Sequence, residues 1–399
     1  MRVLMISDVY FPRINGVSTS IQTFRRDLHE LGHETQLITP EYPQASPADA
    51  TIRRIPSRYV PRDPEDRMMR RSEIRRLLPE LVAARFDLVH IQTPFIAHYA
   101  GVELARALKL PTVETYHTYF EEYLHHYVPL LPRALMRLLA RRFTCSQAAG
   151  VERLIAPSRA MHDALVDYGV RTPITIIPTG LETDRFHAGD GANFRQRFSI
   201  PAERPVLVHV GRIAHEKNID FLLRMLVAAR AQIPDILLLI AGEGPALEHC
   251  KRLAGELGID GNVLFTGYLD RRRELLDCYR AGDLFVFASR TETQGLVLLE
   301  AMAQGVPVVS TAHMGTIDIL GPGRGCVVVE EQEHLFAAGV VALLRDSVAR
   351  RRLGRDAQAY AATWSSREQA LRLIELYREM TGGTVADAPL ASAVAIPSH

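Results

Sequence analysis

The 399-residue sequence predicts an α/β protein of two doubly wound domains, each a parallel sheet covered by helices, facing one cleft. Two observations support this. Short apolar runs alternate with segments of helical period along most of the chain. The alternation starts twice, at Arg2 and again at Val206. Alternation of this kind implies parallel sheets covered on both faces. A chain of this length with 47% hydrophobic and 23% charged residues suits two or three globular domains.

The first half opens with a strand at Arg2–Ser7 and a loop holding Pro12 and Asn15-Gly16. A helix follows on Ile21, Phe24, Leu28 and Leu31, with Gly32 as its C-terminal stop. Thr35–Thr39, Phe86–Ile91, Pro111–Tyr116, Leu154–Ser158 and Ile174–Pro178 read as further strands. Asn193–Ser199 and Pro201–Pro205 read as a connection, which puts an N-terminal domain at 1–195. The second half, 196–365, repeats the scheme with strands at Val206–Val210, Ile236–Ala241, Asn262–Thr266, Asp283–Ala288, Val306–Val309 and Cys326–Val329. A helix is expected over 366–380, packing back toward the first domain. Residues 381–399 are small and unpatterned, and disorder is expected there.

Composition excludes several classes. No apolar run approaches the roughly 18 to 20 residues that span a bilayer. The N-terminal apolar stretch is too short for a signal peptide. The four cysteines (145, 250, 278 and 326) are dispersed, so neither a zinc site nor a disulfide framework is suggested and a cytoplasmic location is expected. Net charge is +1 but unevenly spread. Residues 1–200 hold 26 Lys and Arg against 22 Asp and Glu, leaving 21 against 24 in the rest. Residues 53–76 alone carry nine arginines against four acids. No nucleic-acid partner is expected.

Ligands of such sheets bind beyond the C-terminal ends of the strands, so the loops there are the candidate site. After Asp283–Ala288 come Glu292, Gln294, Gly295 and Leu296, then a helix carrying Glu300. A helix N-terminus suits an anion, but two glutamates eight apart fit a solvated pair equally well. Arg212 and Lys217 follow Val206–Val210; two cations five apart suit a diphosphate or a solvated basic loop. Gly242-Glu-Gly244 reads as a tight turn. In the first half Gly16 would let backbone approach a ligand, and His117 stands at a strand end. Each also fits an ordinary structural role. The chain has no Asp-x-Asp, so no metal-bridged diphosphate site is expected.

Taken together, Glu292-x7-Glu300 with Gly295, Gly211-Arg-x4-Lys-Asn218 and Asn15-Gly-Val17 resemble family 4 retaining glycosyltransferases of the GT-B fold, two Rossmann-like domains, over residues 1 to about 380. The resemblance implies a nucleotide-sugar donor, a lipid or sugar acceptor, no cofactor and no metal. It implies that Arg212 and Lys217 neutralise the diphosphate and that Glu300 accepts from the ribose hydroxyls. Glu292 would contact the transferred sugar, helped by backbone N–H groups at Gln294, Gly295 and Leu296. His117 would contact the sugar's 6-hydroxyl or the charge near its anomeric carbon, Gly16 would pack on the diphosphate, and Gly267–Leu269 would border the base. Tyr116-His-Thr-x-x-Glu-Glu-Tyr-x-His-His126 and Ile177-Pro-Thr-Gly-Leu-Glu182 resemble bacterial diacylglycerol α-glucosyltransferases. Independently, Arg133, Arg137 and Arg141 recur every four residues beside Leu135, Leu138, Leu139 and Phe143. Such a basic amphipathic helix, with the Arg-rich 53–76 segment, suits peripheral binding to an anionic inner leaflet or a solvated helix face. The reading is glucose transfer from UDP-glucose to a lipid hydroxyl. The alternatives are GDP-mannose as donor, a soluble sugar as acceptor, or an epimerase or binding protein on the same scaffold.

Overall fold

The structure, a computed structural model, describes residues 1–43, 49–60, 63–117, 133–182, 189–271 and 273–382. The first sheet holds β1 (Arg2–Ile6), β2 (Glu34–Pro40), β3 (Ile52–Ile55), β6 (Leu88–Ile91), β7 (Thr112–Thr115), β8 (Arg153–Ala156) and β9 (Ile174–Ile176). Its order is β3-β2-β1-β6-β7-β8-β9, all parallel. The second holds β10 (Val206–Val210), β11 (Leu237–Ala241), β12 (Val263–Gly267), β13 (Leu284–Phe287), β14 (Val308–Ser310) and β15 (Cys326–Val328). Its order is β12-β11-β10-β13-β14-β15, again parallel. Each chain path runs outward to one edge, then returns to the other side of its first strand. The switch points therefore fall between β1 and β6 and between β10 and β13, where crevices form.

The apolar runs are buried on both faces because helices cover both. Leu4 and Ile6 enter one core cluster and Val3 and Met5 the opposite one, as the two-residue period of a strand requires. The helix Gly16–Glu30 is capped by Asn15, whose side chain accepts from Ser18 N at 2.8 Å. It ends before Gly32, at φ +81°.

One segment differs from expectation, and the sequence assigns no element to a second. Asn193–Ser199, read as a connection, lies mostly in the helix Gly191–Arg197, with Phe194 buried in the second domain's core. Its short polar sequence hides one apolar anchor. The Arg-rich stretch is structured. It forms most of β3, an antiparallel hairpin of β4 (Ser57–Val60) and β5 (Asp63–Met69), and the helix Arg71–Arg76, after which comes the helix Leu78–Ala84. Arg67 lies 3.9 Å from the Tyr59 ring centroid there, so a cation covers an aromatic where the sequence shows only charge.

The chain crosses between domains twice. Leu181 N donates to Trp364 O at 2.6 Å and Ser366 N donates to Leu181 O at 2.8 Å, binding the crossovers side by side. A Cβ at Gly180 would strike the Ser366 backbone. After the second crossing, the helix Ser366–Met380 lies on the first domain, with Ala370, Leu373, Ile374 and Tyr377 in the cluster of Ile21 and Leu28. Residues 383–399, and 118–126 of the Tyr116–His126 motif, lie outside the described residues.

Candidate active site

The loops after β10 and β13 meet at the second switch point. Gly242 and Gly244, in the loop after β11, let it lie against the β10 loop. A Cβ at Gly242 would strike the Gly211 carbonyl, and one at Gly244 the Ile213 carbonyl. Ile213 N donates to Glu243 O at 2.8 Å. The tight turn expected there is therefore a close backbone crossing. Arg212 is partly exposed, with Nη1 3.7 Å from Glu216 Oε1. Lys217 Nζ donates to Glu292 Oε1, both side chains being about a fifth exposed. Asn218, at φ +57°, donates from Nδ2 to Ala288 O (3.2 Å) and to Glu331 Oε1 (2.9 Å). That ties the cationic loop to the end of β13.

Gly295 adopts φ +98° and starts the helix Leu296–Ala303, in which Leu298 N donates to Gly295 O at 3.0 Å and the amides of Leu296 and Val297 precede that first bond. One turn in, Glu300 is 4% exposed. Its Oε2 accepts from Tyr279 Oη at 2.7 Å and its Oε1 from Arg271. Sequence reasoning missed both partners. They lie on the loop and helix after β12, and nothing in that helix's apolar period marks them. Gln294 is buried and faces the crossover. Its Oε1 accepts from Thr179 N at 2.9 Å and its Nε2 donates to Thr179 O at 2.6 Å. Its side chain is therefore committed to the crossover.

In the first domain, Gly16 is exposed, and a Cβ there would meet nothing within 4 Å, so it opens onto free space. Asp8, after β1, is buried and accepts from Thr93 Oγ1 (2.8 Å) and Ala97 N (3.0 Å), fixing the start of the helix Ile96–Leu108. His117 follows β7, 3.3 Å from Gln92 Oε1. Burial pulls its pKa down to about 4, so the ring is neutral at pH 7. Behind it His90, held by Tyr377 Oη (2.6 Å) and Thr115 Oγ1 (2.7 Å), is lowered by burial to about 3.

The sheets turn their C-terminal ends toward each other. Thr179 beyond β9 meets Gln294 beyond β13, and Arg159 N beyond β8 donates to Asp318 Oδ2 beyond β14 at 2.6 Å. Lys217 and Glu292 thus join the loops after β10 and β13 beside the Gly295 helix start, with Arg212 on the same loop as Lys217 and Glu300 one turn into the helix. Gly16 and His117 stand at the matching end of the other sheet. Among the described residues no three His, Cys, Asp or Glu side chains gather as metal ligands.

Two parallel-sheet domains that face each other across a cleft, with a cationic loop and a helix start at its edge, make the GT-B fold expected of family 4 glycosyltransferases. The chain belongs to that family: Glycosyltransferase Family 4 matches residues 14–185 and Glycosyl transferases group 1 matches residues 190–360. It is 33% identical over 319 residues to an alpha-monoglucosyldiacylglycerol synthase of Streptococcus pneumoniae, covering 78% of this chain and 71% of the relative. It is 29% identical over 362 residues to a GDP-mannose-dependent alpha-mannosyltransferase of Mycobacterium tuberculosis, covering 87% and 89%. HepE of Anabaena, solved with UDP and glucose, has the same fold, with a TM-score of 0.76 at 16% identity over 95% of this chain and 100% of its own. Sucrose-phosphate synthase of Thermosynechococcus elongatus gives 0.74 at 22% identity, covering 96% and 100%. Membership of this family sets aside the epimerase and binding-protein alternatives.

Proposed function

We propose that the protein transfers glucose from UDP-glucose to the hydroxyl of diacylglycerol at a membrane surface, with retention of configuration and without a metal. The observation that carries the donor site is the meeting of the Lys217 and Glu292 loops beside the helix start at Gly295. In this reading Arg212 and Lys217 bind the diphosphate, and the first-turn amides after Gly295 add fixed positive dipoles. Glu300, buried and oriented by Tyr279, accepts from the ribose hydroxyls. Glu292 orients the glucose, and neutral His117 hydrogen-bonds it from the first domain. The bond from C1 to the UDP oxygen breaks, and the acceptor oxygen bonds to C1 on the same face. The acceptor's proton passes to an oxygen of the leaving diphosphate.

Two relatives named alpha-monoglucosyldiacylglycerol synthase, from Streptococcus pneumoniae and Acholeplasma laidlawii, support glucose as the sugar moved and diacylglycerol as the acceptor. The helix Arg133–Ala148 supports a membrane surface. Met136, Ala140, Thr144 and Ala148 face inward, while Leu135, Leu138 and Leu139 are 42%, 47% and 46% exposed beside exposed Arg137 and Arg141. Apolar side chains turned out among cations suit an anionic lipid surface. Among the described residues no helix is long and apolar enough to cross a membrane, so this contact is peripheral.

The test is incubation with labelled UDP-glucose or GDP-mannose and vesicles of phosphatidylglycerol with or without diacylglycerol, with EDTA present. Product mass and anomeric coupling are read. An α-glucosyl lipid formed only with UDP-glucose and diacylglycerol is expected. Transfer from GDP-mannose alone, or to soluble sugars without vesicles, overturns the reading. So does loss of transfer in EDTA.

A further inference from the structure

We infer that Gln294 is a positioning residue that locks the two donor-facing helix starts in register across the domain crossover. Its side-chain amide bonds Thr179 reciprocally, accepting from N at 2.9 Å and donating to O at 2.6 Å. Only a side chain with both a donor and an acceptor in this geometry makes that pair. Thr179 is bonded a third way. Its Oγ1 is 2.7 Å from Oγ of Ser20, and both residues are buried. Ser20 lies one turn into the helix that begins at Gly16, and Gln294 immediately precedes Gly295. The chain Ser20–Thr179–Gln294 therefore joins the starts of the two helices.

Thr179 also sits between the two cores. Ile177 belongs to the first domain's cluster and Leu181 to the second's. Any rotation about the crossovers moves Thr179, and Gln294 passes that movement to the loop of Glu292 and Gly295. A buried polar pair satisfied on both sides holds one geometry, and leaving either partner open is unfavourable. The inference rests on the donor-site reading above, since it concerns how that site is aligned.

The experiment compares Gln294→Glu, Gln294→Leu and Thr179→Val with the parent in glucosyl transfer and in UDP binding by calorimetry. Each rate is normalised to the parent at the same pH. Gln294→Leu is expected to lower kcat by about 10- to 100-fold, the scale of a small misplacement of reacting groups, while UDP affinity stays within about threefold because it removes no contact to the nucleotide. Gln294→Glu is expected to be inactive at high pH, where a carboxylate faces the Thr179 carbonyl. It recovers as pH falls and the new carboxyl gains a proton to donate. Thr179→Val, which removes only the Ser20 arm, should lower kcat by roughly threefold. Gln294→Leu with kcat within twofold of the parent overturns the inference. So does Gln294→Glu with the parent's pH profile, or UDP affinity falling in step with kcat in all three variants. Lys217→Ala tests the donor site separately. If it leaves UDP affinity unchanged, the donor-site reading fails whatever the Gln294 variants do.

Discussion

Lys217 and Glu292, 75 residues apart, form an ion pair at the second domain's switch point. The sequence reading assigns one to the diphosphate and the other to the sugar, yet here each neutralises its partner. A diphosphate therefore competes with Glu292 for the ammonium group. Lys217→Ala should weaken UDP binding by about 10- to 100-fold, the loss of one charge-assisted contact. Glu292→Gln should bind UDP as tightly as the parent or tighter, and transfer about 100-fold more slowly, if the carboxylate acts on the sugar in the transition state. Calorimetry with UDP and steady-state transfer rates separate the two.

Tyr279 and Arg271 hold Glu300 from below. Tyr279→Phe removes one donor from a buried carboxylate, which costs about 1–3 kcal/mol. The expected result is lower stability in urea denaturation and UDP affinity reduced by about 3- to 10-fold, since Glu300 loses its fixed orientation. Unchanged affinity would detach Glu300 from the nucleotide.

Burial lowers three histidines: His117 to about 4, His209 to about 4 and His90 to about 3, from an unfolded value of 6.5. Because the folded values lie below the unfolded one, protonation favours the unfolded chain. Stability is complete above pH 6.5 and is lost as pH falls from 6.5 toward 4. Calorimetric melts between pH 4 and 8 should therefore show Tm falling steadily on the acid side. The transfer rate should show no inflection from His117 between about pH 6 and 9, because the ring is already neutral there.

Gly295 sits at φ +98°, and a Cβ there would lie 3.0 Å from Thr316 Cγ2. Gly295→Ala should cost about 1–3 kcal/mol of stability from backbone strain. It should slow transfer further, because the helix start that faces the donor must shift. Denaturation midpoints and kcat report the two effects separately.

Much of the fold was legible in the sequence because parallel strands covered on both faces are continuously apolar. Val206–Val210 and Leu237–Ala241, buried at every residue, stand out for that reason, and Ser366–Met380 is readable from its helical period. The hairpin over 57–69 was not legible. Six of its thirteen residues are charged and two are proline, which breaks any alternation, and what orders it includes an arginine on a tyrosine ring, a contact no periodicity records. Helix Gly191–Arg197 was missed because seven residues with one buried aromatic fall below any amphipathic pattern.

The site divides in the same way. Loop position placed Arg212, Lys217, Glu292, Gly295 and Glu300 beyond strand ends, because a βα loop begins where its strand ends, but residue type and spacing fitted a solvated role as well, and it was the resemblance carried by their combination that assigned them to a donor. By itself the sequence determined the two doubly wound sheets and the family. The tertiary structure alone decided that Lys217 pairs with Glu292, that Tyr279 and Arg271 hold Glu300, and that the side chain of Gln294 serves the crossover. These partners lie 75, 21, 29 and 115 residues apart. Local pattern reports the burial of each element's own face and carries no record of which element lies against it.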